Sequence, residues 1–397
     1  MLLGILISIL IGVLAGTFTG LMPGIHINLV GAILIGLSAT IFSGIEPIYL
    51  ILFIASMAIA HSFIDFIPSI FLGCPDTETQ LSVLPGHELL KEGKGYEAVM
   101  LTAIGGIFAV FILIIISFPI SLLVYQTYNA VHSVMFWILL ATSLLLLFTE
   151  KKKFTAFLVF AVSGILGLCV LNIELKEPLL PLLTGLFGSS MLLSSIKNKI
   201  RVPAQEITKP ECKLFKPLLG SILASPICGF LPGLGSGQAA VLGNTISRTD
   251  KKGFLILVGA TNILVMGLSF VSLYAISKTR TGAAAAIQEI IGTLSWKFLL
   301  LILFAVLISG LVSFFLTKVL AKFFAQKISK INYSILSIAT IIFLTIIVLI
   351  FSGFLGILVL IASTLVGIYF NSLPVKKTNM MGCLLIPTMI YYAMQLI

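Results

Sequence analysis

The sequence predicts an all-α polytopic membrane protein, with about 12–14 transmembrane or re-entrant helices in two inverted-topology repeats. Three observations predict it. Of 397 residues, 59% are hydrophobic and only 10% charged, whereas a soluble domain carries roughly 25% charged residues. Apolar runs of roughly 20 residues, the length that crosses about 30 Å of hydrocarbon, recur from end to end. A five-residue pattern, Gly-x-x-Pro-Gly, occurs once in each half. Backbone groups in lipid must be satisfied internally, so the spans should be helices. The alternation in segments of about 10 residues that marks a transmembrane barrel is absent.

In order, the apolar elements cover 2–19, 25–43, 47–72, 97–125, 131–149, 154–173 and 178–196, then 214–231, 234–247, 254–277, 296–318, 331–351, 353–370 and 378–396. The first lacks a basic leader and an A-x-A cleavage signal, and reads as a retained span. The division is membrane repeat 1 over 1–196, a cytoplasmic basic linker over 197–213, and membrane repeat 2 over 214–397.

Charge orients these elements. The basic loops are Lys151–Lys153, the 197–216 stretch, Arg248 with Lys251 and Lys252, the 318–330 loop, and Lys376 with Lys377. The turns at 126–130 and 352–353 carry no charge, and 174–177 is mildly acidic. By the positive-inside rule the basic set is cytoplasmic and both termini face outward. The net charge of +10 thus reads as orientation and attraction to anionic lipid, not nucleic-acid binding. The expected location is the plasma membrane. Cys74, Cys169, Cys212, Cys228 and Cys383 lie scattered without a CxxC pair; they read as free thiols.

The two motif copies are Gly20-Leu-Met-Pro23-Gly24 and Gly229-Phe-Leu-Pro232-Gly233, 209 residues apart (229 − 20). Each follows an apolar run and precedes a second one, then a long apolar element, then a stretch rich in Thr and Gly. Seven crossings separate the copies. Seven is odd, so the halves enter the membrane from opposite sides, an arrangement that secondary transporters use around a central site.

Proline removes an amide donor and glycine tolerates unusual backbone angles, so each motif should stop a helix and leave its ends unpaired. Such ends hold ions and anionic groups. Around the first break, Gly20, Pro23, Gly24, His26 and Asn28 are candidate substrate ligands; around the second, Gly229, Pro232, Gly233, Gly235, Ser236, Gly237 and Gln238. The alternative for either break is a tight turn at the membrane surface. His61, Asp65 and Pro68 fall at i, i+4 and i+7, on one helical face. An acid at mid-bilayer costs about 2.5–3.5 kcal/mol on insertion scales, which makes His61 and Asp65 ion-coupling candidates; a hydrated, structural pair nearer the cytoplasm is the alternative. Asp76, Thr77 and Thr79 bring oxygens suited to Na⁺ or a polar solute. Thr261 and Asn262 interrupt an apolar element, as ligands or as glue between helices. Thr279 and Arg280 occupy the place of 74–80 in the second copy, and a cation there suits a carboxylate. No HExxH, GxSxG or Walker A signature is present, and the histidines lack metal-ligand spacing.

Together these motifs resemble the TctA family, the large membrane subunit of tripartite tricarboxylate transporters. Gly20–Gly24 is similar to the family's Pro-Gly segment, Gly73–Gly95 to its Pro-Gly-Thr loop and following turn, Gly229–Gly237 to its second Pro-Gly segment, and Thr261-Asn262 to its Asn-Asn pair. The 164–188 stretch resembles the end of the family's first half. Asp76 stands where the family has a glycine. The resemblance implies a secondary-active permease of a small organic anion, such as a di- or tricarboxylate, coupled to Na⁺ or H⁺. It implies no cofactor beyond a coupling ion, and as partners a small membrane subunit and an extracytoplasmic solute-binding protein; a homodimer is compatible with it. An intramembrane enzyme acting on a lipid, and a membrane subunit without transport of its own, are the alternatives.

Overall fold

The computed structural model describes residues 2–22, 44–73, 79–148, 150–197, 202–230, 235–329, 333–375 and 377–395. Among them no strand occurs. The first half forms α1 (Leu2–Leu21), α2 (Pro47–Ile64), α3 (Phe66–Phe71), α4 (Val83–Lys91), α5 (Gly95–Ser133), α6 (Met135–Phe148), α7 (Lys153–Leu171), α8 (Leu179–Leu183) and α9 (Ser190–Lys197). The second forms α10 (Phe215–Phe230), α11 (Ser236–Ser247), α12 (Lys251–Ile276), α13 (Gly282–Ile291), α14 (Trp296–Ile328), α15 (Tyr333–Asn371) and α16 (Gly382–Met394). Among the described residues, seven segments are long and apolar enough to cross a bilayer. One face of α1 buries Ile5, Ile9, Val13, Gly16 and Gly20 while Leu3, Ile7, Leu14 and Phe18 point outward. An apolar outer face of this kind suits lipid, and the chain is a multi-pass all-α membrane protein.

Several expected boundaries shift. The predicted element 25–43 lies outside the described residues. The turn expected at 126–130 is helical, because Gln126 to Ala130 contains neither Gly nor Pro to stop α5. The expected element 178–196 is α8 and α9 joined by a widened π turn over Thr184–Ser189. Helices α4 and α13 fall inside the stretches read as loops. The turn at 352–353 is present as a kink: α15 bends at Gly353, φ 66 and ψ −166.

Two segments differ from the rest. Pro47–Phe71 and Lys251–Ile276 are 94% buried along their most apolar window, against 28–44% for the other five. These are the central helices, and small residues allow their close packing. Helix α1 lies parallel to α2, with Gly4 against Tyr49, Gly12 against Phe53 and Ser56, and Gly20 against Ile64 and Asp65. Helix α10 lies parallel to α12, with Pro217 beside Gly253 and Gly229 against Leu268. The halves also lean on each other reciprocally. Helix α12 packs on α5, where Gly259 meets the Thr102 carbonyl, and α2 packs on α14. Helix α7 meets α16 through Gly167 and Gly382, and α15 meets the π turn through Gly185 and Gly367.

Helices α10 and α11 form a hairpin, since Gly220 faces Gly243 and Ser247. Its arms have 16 and 12 residues, about 24 and 18 Å at 1.5 Å per residue. Both fall short of the roughly 30 Å of a hydrocarbon core.

Contacts between loops sort into two ends. At one end Lys251 pairs with Glu88 and Glu92, Lys252 pairs with Glu97, and Gln205 bonds the Gly95 amide and the Leu90 carbonyl. At the same end His87 is buried on α4, hydrogen-bonded to the Ile70 backbone; burial and Lys91 hold its pKa down, from 6.5 to about 4. At the other end Ser352 Oγ donates to the Glu177 carbonyl, and Trp296 meets Phe118 edge-to-face and Tyr274 at a tilt.

Candidate functional site

Helix α2 stops at Ile64 and α3 resumes at Phe66. Pro68 has no N–H to offer the Ile64 carbonyl, so the helix loosens one turn earlier, at Asp65. The Asp65 amide still bonds the His61 carbonyl at 2.9 Å. Ser69 Oγ donates to the Asp65 carbonyl at 2.7 Å and lies 2.6 Å from Thr79 Oγ1. His61 Nδ1 is 3.0 Å from Oγ1 of Thr19, the residue before the first motif. From the other half, Asn262 Nδ2 donates to the Ser62 carbonyl at 3.2 Å and lies 3.5 Å from Asp65 Oδ2. His61, Asp65, Thr79 and Asn262 are all buried. An interior acid of this kind needs polar neighbours to offset its lost hydration. The crossing of the two central helices is therefore a buried polar knot supplied by both halves.

The second motif has its own surroundings. Helix α10 ends at Phe230, and the described chain resumes at Gly235, just before α11. Gly229 faces Leu268 as Gly20 faces Ile64. The Gly235 amide donates to Gln238 Oε1 at 2.9 Å. Glycine has no side chain to return the bond, so this is half of a capping box. Arg280 Nη2 lies 3.4 Å from the Cys228 carbonyl, where a cation complements the C-terminal carbonyls of α10. Ser269 Oγ meets Thr281 Oγ1 at 2.9 Å, a hydroxyl pair that, like Ser69–Thr79, ties a central helix to the stretch after it. Each central helix is closed by a left-handed residue, Gly73 (φ 68) and Ser277 (φ 52). These lie 204 residues apart (277 − 73), the spacing of the helix starts Pro47 and Lys251 (251 − 47).

The structure thus gathers Gly20, His61, Asp65, Thr79 and Asn262 at the knot, and Gly229, Gly235, Ser236, Gly237, Gln238 and Arg280 about the α10–α11 hairpin. Thr261 instead bonds the Val258 carbonyl of its own helix at 3.0 Å. Thr279 lies on a partly exposed loop. Pro23, Gly24, His26, Asn28, Asp76, Thr77, Pro232 and Gly233 lie outside the described residues, as does Cys74. Sequence reasoning missed Thr19, Ser69, Ser269 and Thr281; a small polar residue within one turn of a marked break was the available signal. Among the described residues, no group of three or more His, Cys, Asp or Glu could hold a metal ion.

No solved structure matches the chain. An uncharacterized protein of Methanocaldococcus jannaschii is 33% identical over 355 residues, covering 86% of this chain and 88% of that protein. The model of the family described as "Tripartite tricarboxylate transporter TctA family" matches residues 6–382. With nearly its whole length matched, the chain belongs to the tripartite tricarboxylate transporter TctA family.

Proposed function

We propose that the protein is a secondary-active permease for a small organic anion, a di- or tricarboxylate, working by alternating access of two inverted repeats. The observation that carries this reading is the knot of His61, Asp65 and Asn262, buried where the central helices of the two halves cross. A carrier needs a polar site in the bilayer interior that both halves can expose in turn. The reciprocal packing of the halves and the duplicated α1–α2 and α10–α12 pairs support the inverted repeat. The carboxylate of Asp65 and the imidazole of His61 suit H⁺, and the oxygens of Asp65, Ser69 and Thr79 suit Na⁺. A small membrane subunit and an extracytoplasmic solute-binding protein would complete a tripartite system.

The test is uptake of labelled citrate and succinate into proteoliposomes carrying the purified protein, with a Na⁺ or a H⁺ gradient imposed separately. Uptake that follows one gradient and is lost in Asp65→Asn supports the proposal. Uptake indifferent to both gradients, or absent with the solute-binding protein and small subunit supplied, overturns it.

A further inference from the structure

A cavity of about 340 Å³ lies between the end of α14 and the start of α15, against the close of α3. Its walls are Leu72, Phe323, Phe324, the stem of Lys327, Ile328 and Leu336. Phe324 is held there by stacking on Phe71, with ring centroids 6.1 Å apart. A water takes up about 30 Å³, so the space would hold roughly ten, yet apolar walls offer them no hydrogen bonds. Close-packed interiors leave few voids larger than one water, so a space of this size asks for hydrocarbon. The bilayer is the source at hand. Phe315, Val319 and Phe323 on α14, and Ile335, Ile338 and Ile342 on α15, form exposed apolar faces. Phe323 both lines the cavity and is 54% exposed, so the cavity is continuous with the lipid-facing surface. The rim is charged. Leu72 precedes Gly73, which faces His87, so this is the end of the bundle where Lys251 and Lys252 form their ion pairs. Lys318, Lys322 and Lys327 are exposed toward the end of α14. Among the described residues none of the three pairs with a carboxylate.

We propose that this cavity holds one hydrocarbon chain of an anionic membrane lipid, whose phosphate is drawn to Lys322 and Lys327. Basic residues beside an apolar space between membrane helices are the pattern that anionic headgroups recognise, and a lysine stem can line the apolar wall while its ammonium reaches the phosphate. A zwitterionic lipid fills the space but brings its own cation to lysines already lacking a partner. A free anion meets the lysines but leaves the cavity empty. An anionic lipid answers both. Its chain lies against Leu72, the residue that closes α3, so occupancy braces the end of the first central segment.

The experiment is native mass spectrometry of the full-length protein in detergent, titrated with phosphatidylglycerol or phosphatidylcholine. Wild type should retain one phosphatidylglycerol, at an affinity at least roughly tenfold above that for phosphatidylcholine. Lys322→Gln/Lys327→Gln should weaken phosphatidylglycerol roughly 30-fold, about fivefold for each lysine. Lys151→Gln/Lys152→Gln, which removes two exposed lysines elsewhere, should leave it unchanged. Leu336→Trp, which fills the cavity, should lose both lipids. Equal retention of the two lipids by wild type, equal losses in the two lysine pairs, or wild-type retention by Leu336→Trp overturns the proposal. Wild type that retains no lipid but forms a dimer abolished by Leu336→Trp gives the cavity to a second copy, and overturns it too. If Leu336→Trp does not fold, the comparison of the two lysine pairs decides alone.

Discussion

Asn262 and Asp65 come from opposite halves of the chain, 197 residues apart, and meet where α2 crosses α12. Asn262 Nδ2 also holds the Ser62 carbonyl at 3.2 Å, so one amide spans the loosened turn of the facing helix. Replacing it by Leu should remove both contacts. Interhelical hydrogen bonds in membranes contribute about 1 kcal/mol, so thermal melting in detergent should fall by only a few degrees. Carboxylate uptake should fall at least roughly tenfold, beyond what the stability loss explains. Uptake at the wild-type rate would remove Asn262 from the site.

Glycine contacts between α5 and α12 predict a sharper structural effect. A Cβ at Gly259 would collide with the Thr102 carbonyl, whereas one at Gly44 meets nothing within 4 Å. Gly259→Ala should destabilise by about 1–3 kcal/mol through overpacking, and Gly44→Ala should stay within about 0.5 kcal/mol of wild type. Denaturation in mixed micelles compares the two.

Glu97 is 5% exposed and pairs with Lys252. Lys252→Met leaves that carboxylate without its cation; because Lys252 is partly exposed, solvent screens part of the loss, which should be about 1–3 kcal/mol. The double variant Glu97→Met/Lys252→Met should recover most of it, since no charge is then stranded. A double variant as unstable as the single one would show that Lys252 acts through packing alone.

His87 gives a pH dependence of known sign. Its folded pKa, about 4, lies below the unfolded value of 6.5. The unfolded chain therefore takes up a proton first as pH falls, and stability present above pH 6.5 is lost progressively between pH 6.5 and 4, by something on the order of 3 kcal/mol. His87→Gln should flatten that part of the melting-temperature profile. An unchanged slope would assign the acid sensitivity to the carboxylates.

The two ends of the bundle can be told apart by single cysteines in a cysteine-free background. Positions 92 and 251, joined by the Glu92–Lys251 contact, should label only from the cytoplasm. Positions 177 and 352, joined through the Ser352 bond, should label only from outside. Labelling of all four from one side would undo the assigned topology.

Much of this architecture was readable in advance, for physical reasons that differ by element. Composition alone requires membrane helices, and Gly-x-x-Pro-Gly marks where α1 and α10 end, because it removes the donors a helix needs. The long α5 was misjudged for the converse reason: polar residues between 126 and 130 look like a turn, yet none of them stops a helix. The burial of 47–71 and 251–276 was not legible, since a central helix and a lipid-facing one are equally apolar. Nor was the meeting of Asn262 with Asp65, or of Thr19 with His61. Both are set by how α1, α2 and α12 pack, and no periodicity within one segment encodes a partner on another.

The short arms of the α10–α11 hairpin have an electrical consequence. With the basic loops on the cytoplasmic side, as the positive-inside rule expects, an upright α11 of 12 residues would lift its first turn about 18 Å from that face, roughly 60% of the way across the hydrocarbon. A charge reaching that turn from outside crosses the remaining 40% of the membrane field. At 2.3 kcal/mol per charge per 100 mV, that is about 1 kcal/mol for each net charge. If the proposed permease binds its anion at the hairpin, occupancy should therefore vary with membrane potential even before any helix moves, and voltage-clamped currents from fused proteoliposomes should show a solute-dependent transient whose size follows the charge of the anion.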